Sequence, residues 1–274
     1  LAVERIEGEV GKRMDGFPGG RLQAGRMPGH WLLARLGKRV LRPGGIGLTR
    51  EMLDGLGIGT VDRVVEFAPG LGSTARLVLE HGPCSYTGVE RDEAAAGVVW
   101  GYLRGPRQRC IVGSAEETGL EGGYASVVYG EAMLTMQREE QKRRIAGEAH
   151  RLLVPGGRYG VHEMCLVPDD LAEQTKEEIR AALSGTIRVG ARPLTLSEWR
   201  ALLESEGFEV VETVTAPMRL LEPGRLLEDE GLRGAARFLW NVLRDREARR
   251  RVLAMRRGLS ALPAPPGGGR DGRG

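Results

Sequence analysis

The sequence predicts a doubly wound α/β domain, a mostly parallel sheet with helices on both faces, carrying helical additions at its N-terminal and C-terminal ends. Three observations predict it. From residue 61 onward, short apolar runs alternate with amphipathic segments of helical period, the pattern of strands covered on both faces by crossover helices. The stretch "VVEFAPGLGSTA" reads as a strand running into a glycine loop and then a helix. The chain has 274 residues, 41% apolar and 28% charged, enough for one well-buried α/β core with appendages.

In order, residues 1–29 form a glycine-rich stretch without periodicity and read as a flexible arm. "HWLLARLGKRVL", from His30, has helical spacing and ends before the breaker "RPGG". "RVVEFA" is the first strand and 73–81 a helix; "SYTGVE" is the second strand and "DEAAAGVVWGYL" a helix. "RCIVGS" and "ASVVYGEA" are strands joined by a short crossover, and a helix over 136–153 places Ile145, Ala149 and Leu152 on one face. It stops at "VPGG", and "RYGVHEM" is the fifth strand. Residues 168–194 form an insertion. "TLSEWRALLESEGF" then opens with Thr195 three residues before Glu198, a capping box, and closes at Gly207. "FEVVETV" is expected to be the sixth strand, closing a main domain of 30–216. Residues 217–260 form a basic helical extension and 261–274 a disordered tail.

Charge and cysteine content bound the function. The net charge of +3 does not by itself imply a nucleic-acid partner, and no run of about 18 apolar residues suggests a transmembrane segment. Cys84, Cys110 and Cys165 have no metal-ligand spacing and read as reduced thiols of a cytoplasmic protein; the start of the chain shows no secretory signal. Residues 233–257 hold nine arginines against Asp245 and Glu247. The expectation is a solvated basic face whose apolar stripe, Leu232, Ala236, Leu239 and Leu243, packs on the domain. The other reading is a helix that docks on phosphate or on an anionic membrane face. A homodimer is compatible with this composition but not dictated by it.

The carboxylates around the loop choose between cofactors. Gly70, Gly72 and Ala75 also satisfy a dinucleotide fingerprint, but a pyrophosphate needs bare N–H groups, and Glu66 at the mouth of the loop would repel it. A cofactor bearing an ammonium and a sulfonium suits that carboxylate. Glu90 ends the second strand, where two carboxylate oxygens match the vicinal hydroxyls of a ribose.

On these residues, "EFAPGLG" and Glu90, together with "GSAEET" and "RLLVPGGRYGVHE", segment 61–160 resembles the class I S-adenosylmethionine-dependent methyltransferases. The likeness is nearest to the small-molecule group related to quinone-biosynthesis C-methyltransferases. The resemblance implies a Rossmann-like fold and S-adenosyl-L-methionine as cofactor, with S-adenosyl-L-homocysteine as product. Its cofactor contacts fall on Glu66, Ala68 (where the family has its first glycine), Gly70, Gly72, Glu90, Ser114, Ala115, Glu116 and Glu131. Members usually add an antiparallel seventh strand; "TAPMRLL" either turns back to supply it or the sheet edge is completed otherwise.

Methyl transfer is an in-line displacement that alignment and water exclusion can drive, with a base needed only if the acceptor must lose a proton. His162 and Glu131 are the candidate catalytic residues, with Glu163 a further candidate base. His30, Trp31, Met133, Met136, Arg188 and Arg192 are candidates to line a pocket for a small-molecule acceptor. An RNA or DNA methyltransferase using the arginine helix, and a catalytically silent cofactor-binding relative, are the alternatives. The fourth strand ends "YGEAML", unlike the Asn/Asp-Pro-Pro-aromatic segment of amino-directed base methylases, which argues against a nucleic-acid acceptor.

Overall fold

The computed structural model describes residues 22–260, so the expectations for 1–21 and for the 261–274 tail lie outside the described residues. Five strands, β1 (Arg63–Phe67), β2 (Ser85–Glu90), β3 (Gln108–Val112), β4 (Ala125–Glu131) and β5 (Leu153–His162), form one parallel sheet of order β3-β2-β1-β4-β5. The Rossmann-like, doubly wound expectation holds. The chain leaves β1 toward β2 and β3, then crosses back to place β4 on the other side. Strand order therefore reverses between β1 and β4, where the loops at the carboxyl ends splay apart.

Helices α1 (Gly29–Arg35) and α2 (Gly45–Leu56) precede the sheet; α3 (Ser73–Glu80), α4 (Glu93–Trp100) and α5 (Glu139–Leu152) are the crossovers. Ile145, Ala149 and Leu152 are buried, as their spacing requires. Asp92 starts α4 by accepting from the Ala95 amide at 3.0 Å. After β5 come β6 (Cys165–Leu166), α6 (Glu173–Ile187), β7 (Leu194–Thr195), α7 (Leu196–Ser205), α8 (Pro223–Arg244) and α9 (Arg246–Ser260). β6 and β7 pair with each other in a separate two-stranded ladder. The capping box forms: Thr195 N donates to Glu198 Oε2 at 2.8 Å and its hydroxyl accepts from the Glu198 amide.

Four expectations are corrected. The helix from His30 ends at Arg35 because Gly37 takes φ of 103°. The Gly37 and Lys38 amides then donate back to Ala34 and Leu33, closing a Schellman turn that frees residues 38–44 to run to the site. "FEVVETV" forms no strand: Phe208 packs against Tyr159 at 5.0 Å, but Val211 is 80% exposed, Thr213 makes a single bridge, and no ladder pairs the segment among the described residues. Without a continuous ladder to satisfy its amides, β propensity alone does not make a strand. Nor does "TAPMRLL" pair with the sheet.

The described part of the N-terminal arm is not loose. Met27 is fully buried, and Arg251 of α9 donates to the carbonyls of Ala24 and Met27. Last, the stripe expected to pack on the domain faces outward: Phe238 and Val242 are buried instead, while Leu232, Leu239 and Leu243 are exposed.

Two layers result. One core lies on each face of the sheet. A third unites Met27, Leu32 and Leu36 with Leu183 of α6, Phe238 of α8 and Met255 of α9, a helical roof beyond the strand ends. Buried charges tie roof to sheet. Lys38 Nζ donates to Asp229 at 3.0 Å, Asp229 caps α2 at the Ile46 amide, and Glu230 accepts from the Arg39 and Val40 amides.

Candidate functional site

The carboxyl ends of the strands and the helical roof enclose a cavity of about 620 Å³, the size of a small-molecule site. Its floor is the switch point. Glu66 and the loop 68–71 come from β1, Glu90 from β2, Ser114, Ala115 and Glu116 from the segment after β3, and Glu131 and Met133 from β4.

The loop bends because Ala68, Gly70 and Gly72 all take positive φ, of 52°, 56° and 71°. The two glycines do different work. A Cβ on Gly70 would meet nothing within 4 Å, and the residue lines the cavity, so a ligand can approach its backbone closely. A Cβ on Gly72 would overlap the Tyr102 hydroxyl; this glycine makes room for a packed tyrosine and does not line the cavity.

Glu90 is buried, accepting from the Gly70 amide at 2.9 Å and the Asp92 amide at 3.0 Å, one bond on each oxygen. Each oxygen keeps a further lone pair for a hydroxyl. Glu66 is buried, and the Tyr86 hydroxyl donates to it at 2.5 Å; the Tyr129 hydroxyl lies beside it without a hydrogen bond of good geometry. Burial pushes its carboxyl up to about 7, against the pull of the tyrosines and Arg42. Ser114 accepts from the Glu116 amide, and Glu116 is held by Gln141 and Arg144.

Glu131 centres a buried network. It accepts from the hydroxyls of Thr49 (2.7 Å) and Thr74, and it pairs with Arg42 Nε at 3.1 Å. Burial raises its pKa, but Arg42, His162 and Thr74 outweigh that and hold it down at about 2. The β4–β5 register places His162 opposite Glu131, with Nδ1 2.8 Å from its carboxylate. The other nitrogen donates to the Pro43 carbonyl at 2.6 Å, since a carbonyl can only accept.

His162 therefore has no nitrogen to spare, and it does not line the cavity. This corrects its reading as a base in contact with an acceptor: it is a positioning residue for Glu131 and the 38–44 segment. Glu163 is also committed, accepting from the Met133, Leu134 and Thr135 amides and the Thr135 hydroxyl.

On the acceptor side, His30, Trp31, Met133 and Met136 line the cavity as expected. Their rings stack at a tilt, the His30 and Trp31 centroids 4.7 Å apart, and burial lowers the His30 pKa to about 4. Arg188 and Arg192 do not line it; both are exposed on the outer side of the insertion, and Ile187 and Val189 turn inward instead. The arginines present are Arg39, Arg42 and Arg91, which sequence reasoning missed. For Arg39 and Arg42 the local signal was a basic stretch running into "RPGG", no different from an exposed one. Arg42 is buried, and its Nη2 has no hydrogen-bond partner among the described residues. Met164, Met218 and Met255 complete a methionine-rich lining drawn from the insertion boundary and the C-terminal extension.

Comparisons with known proteins agree with this geometry. A family model described as a methyltransferase domain matches residues 65–161. A protein of Haemophilus influenzae described only as uncharacterized is 32% identical over 231 residues, covering 82% of this chain and 90% of that one. Among solved structures, phosphoethanolamine N-methyltransferase 2 of Haemonchus contortus, in complex with phosphomonomethylethanolamine and S-adenosylhomocysteine, superposes with a TM-score of 0.63. It is 18% identical over 85% of this chain and 53% of its own. The cyclopropane synthase MmaA2 of Mycobacterium tuberculosis superposes with a TM-score of 0.57 at 15% identity, over 78% of each chain. At such identities these two share the fold with this chain.

Proposed function

The chain belongs to the class I S-adenosylmethionine-dependent methyltransferases, and from that premise we propose that its acceptor is a small, largely apolar molecule, methylated in the chamber roofed by α1, α6 and α9. One observation carries this reading. The cavity runs without a break from the glycine loop to a lining of five methionines, Met133, Met136, Met164, Met218 and Met255, with Trp31 among them. Thioether side chains are apolar and adapt their shape, so they suit an alkyl or ring acceptor. A roof of packed helices over that end leaves room for a small molecule and opposes a polynucleotide.

The residues present fit S-adenosylmethionine. The open side of Gly70 admits a close ligand, Glu90 has lone pairs for two hydroxyls, and Glu66, buried and facing the cavity, suits a cationic group. Ser114, Ala115 and Glu116 would border the adenine. When bound, the cofactor supplies an electrophilic methyl group on a sulfonium. The protein's part is to align the acceptor and exclude water. Glu131, held ionised by Arg42 and His162, fixes the floor at the methyl end. His30, kept neutral by burial, can offer an acceptor one ring N–H to donate and one ring nitrogen to accept a hydrogen bond. The unsatisfied Nη2 of Arg42 calls for an acceptor oxygen from a bound ligand.

The test is a screen of extract metabolites, incubated with protein and S-adenosylmethionine, for compounds that gain one CH₂ in mass. Products concentrated in the apolar fraction support the reading. Methylated RNA or DNA with no small-molecule product overturns it.

A further inference from the structure

The outer face of the C-terminal helix pair is unlike the rest of the surface. On α8, Leu232, Leu239, Trp240 and Leu243 are 77%, 51%, 58% and 60% exposed. At 3.6 residues per turn they share one face with Ala236, which is also exposed. Arg233, Arg237 and Arg244 border that face on one side, and the buried face of Ala235, Phe238 and Val242 borders it on the other. Eight of the nine arginines between 233 and 257 are exposed, Arg251 being the buried one, and none of the eight forms an ion pair among the described residues. Arg244 lies over the Trp240 ring at 5.2 Å.

We propose that this face seats the protein on an anionic lipid bilayer, with Leu232, Leu239, Trp240 and Leu243 entering the interface and the arginines meeting lipid phosphates. Charge complementarity and pattern together select this occupant. An apolar stripe with an arginine border is what an interfacial helix presents, and tryptophan favours the headgroup level. A second copy of the chain fits worse, because a two-fold contact through the stripe would bring two rows of unpaired arginines together. A nucleic acid fits worse too: the centre of the face is leucine, which neither stacks on bases nor neutralises phosphate.

The inner side of the same helix pair adds a consequence. Met255 and Leu259 of α9, the helix that packs on α8, line the cavity, so the helix carrying the docking face adjoins one that walls the acceptor chamber. Asp229 and Glu230, one turn before the stripe and ahead of the backbone break at Gly231, hold the segment that carries Arg39 and Arg42. The docking surface itself does not depend on which acceptor is methylated.

The test uses the full chain and sedimentation with vesicles of mixed phosphatidylglycerol and phosphatidylcholine, against vesicles of phosphatidylcholine alone. Binding to the anionic vesicles is expected, weakening as ionic strength rises. Trp240 emission should shift to shorter wavelength on binding, a shift lost in Trp240→Phe. Arg233→Gln and Arg237→Gln should each weaken binding by about fivefold, the worth of one arginine near an anionic surface. Leu239→Glu with Leu243→Glu should abolish it, while the affinity for S-adenosylmethionine stays unchanged and so reports an intact fold. The proposal is overturned by equal binding to both vesicle types, or by the Leu239→Glu, Leu243→Glu protein binding as the parent does. A parent that ignores vesicles and is instead a dimer dispersed by the leucine substitutions overturns it too, as does one that binds RNA alone.

Discussion

Replacing Glu66 by glutamine isolates one buried ionisation. Its carboxyl titrates near 7 in the folded protein, against 4.5 for an ordinary glutamate, because burial between β1 and the tyrosines of β2 and β4 penalises the charge. Below pH 4.5 the group is protonated in both folded and unfolded chains, and its contribution to stability is fully present. As pH rises toward 7 the unfolded chain ionises first, and that contribution is lost. The gap between 4.5 and 7 amounts to about 3 kcal/mol, at 1.36 kcal/mol per pH unit. His30, lowered to about 4, works in the opposite direction over much of the same range, and Glu131, lowered to about 2, adds stability that is lost only in stronger acid. The wild-type curve alone would therefore mislead, whereas the difference between Glu66→Gln and wild type cancels those groups. The amide keeps an oxygen for the Tyr86 hydroxyl, so its own cost is independent of pH. Urea denaturation of both proteins without cofactor, stepped from pH 4 to pH 8, should show the variant gaining about 3 kcal/mol on wild type across the window. With S-adenosylmethionine bound the step should shrink, since a nearby cation favours the carboxylate. A difference that stays flat with pH refutes the buried, titrating Glu66.

Other substitutions test neighbouring parts. Glu90→Ala should weaken S-adenosylmethionine binding by about 1.5–3 kcal/mol, the worth of hydrogen bonds to a charged group, read by calorimetry; an unchanged dissociation constant removes the ribose role. Arg42→Ala leaves Glu131 buried without its guanidinium and should cost about 3–5 kcal/mol in denaturant stability. Gly70→Ala should cost only the left-handed backbone, about 1–2 kcal/mol, yet obstruct the cofactor. Gly72→Ala should cost more stability than that because Tyr102 must move, and the order of the two separates ligand approach from packing.

Much of the site was legible because its signals are local. A glycine loop after a strand, an acid at the next strand's end, and a threonine three residues before a glutamate each act through backbone a few residues away. Glu66, Gly70 and Glu90 accordingly stand where their spacing placed them, on the cavity floor, with Ala115 where the family resemblance implied it. Gly72 shows the limit of such signals: it is required at its bend, but for Tyr102, some thirty residues on.

By itself, then, the sequence determined the parallel sheet, its switch point, the turn chemistry of the loop and the carboxylates beside it, since alternation and turn preference are properties of neighbouring residues. Tertiary structure alone decided that His162 spends both nitrogens on Glu131 and Pro43, and that Arg39 and Arg42, not Arg188 and Arg192, reach the cavity. It also decided that 208–214 builds no ladder among the described residues and that the stripe on α8 turns outward. Each of these depends on which distant backbone or side chain lies opposite, and helical or strand period names the residues that share a face without naming what that face meets.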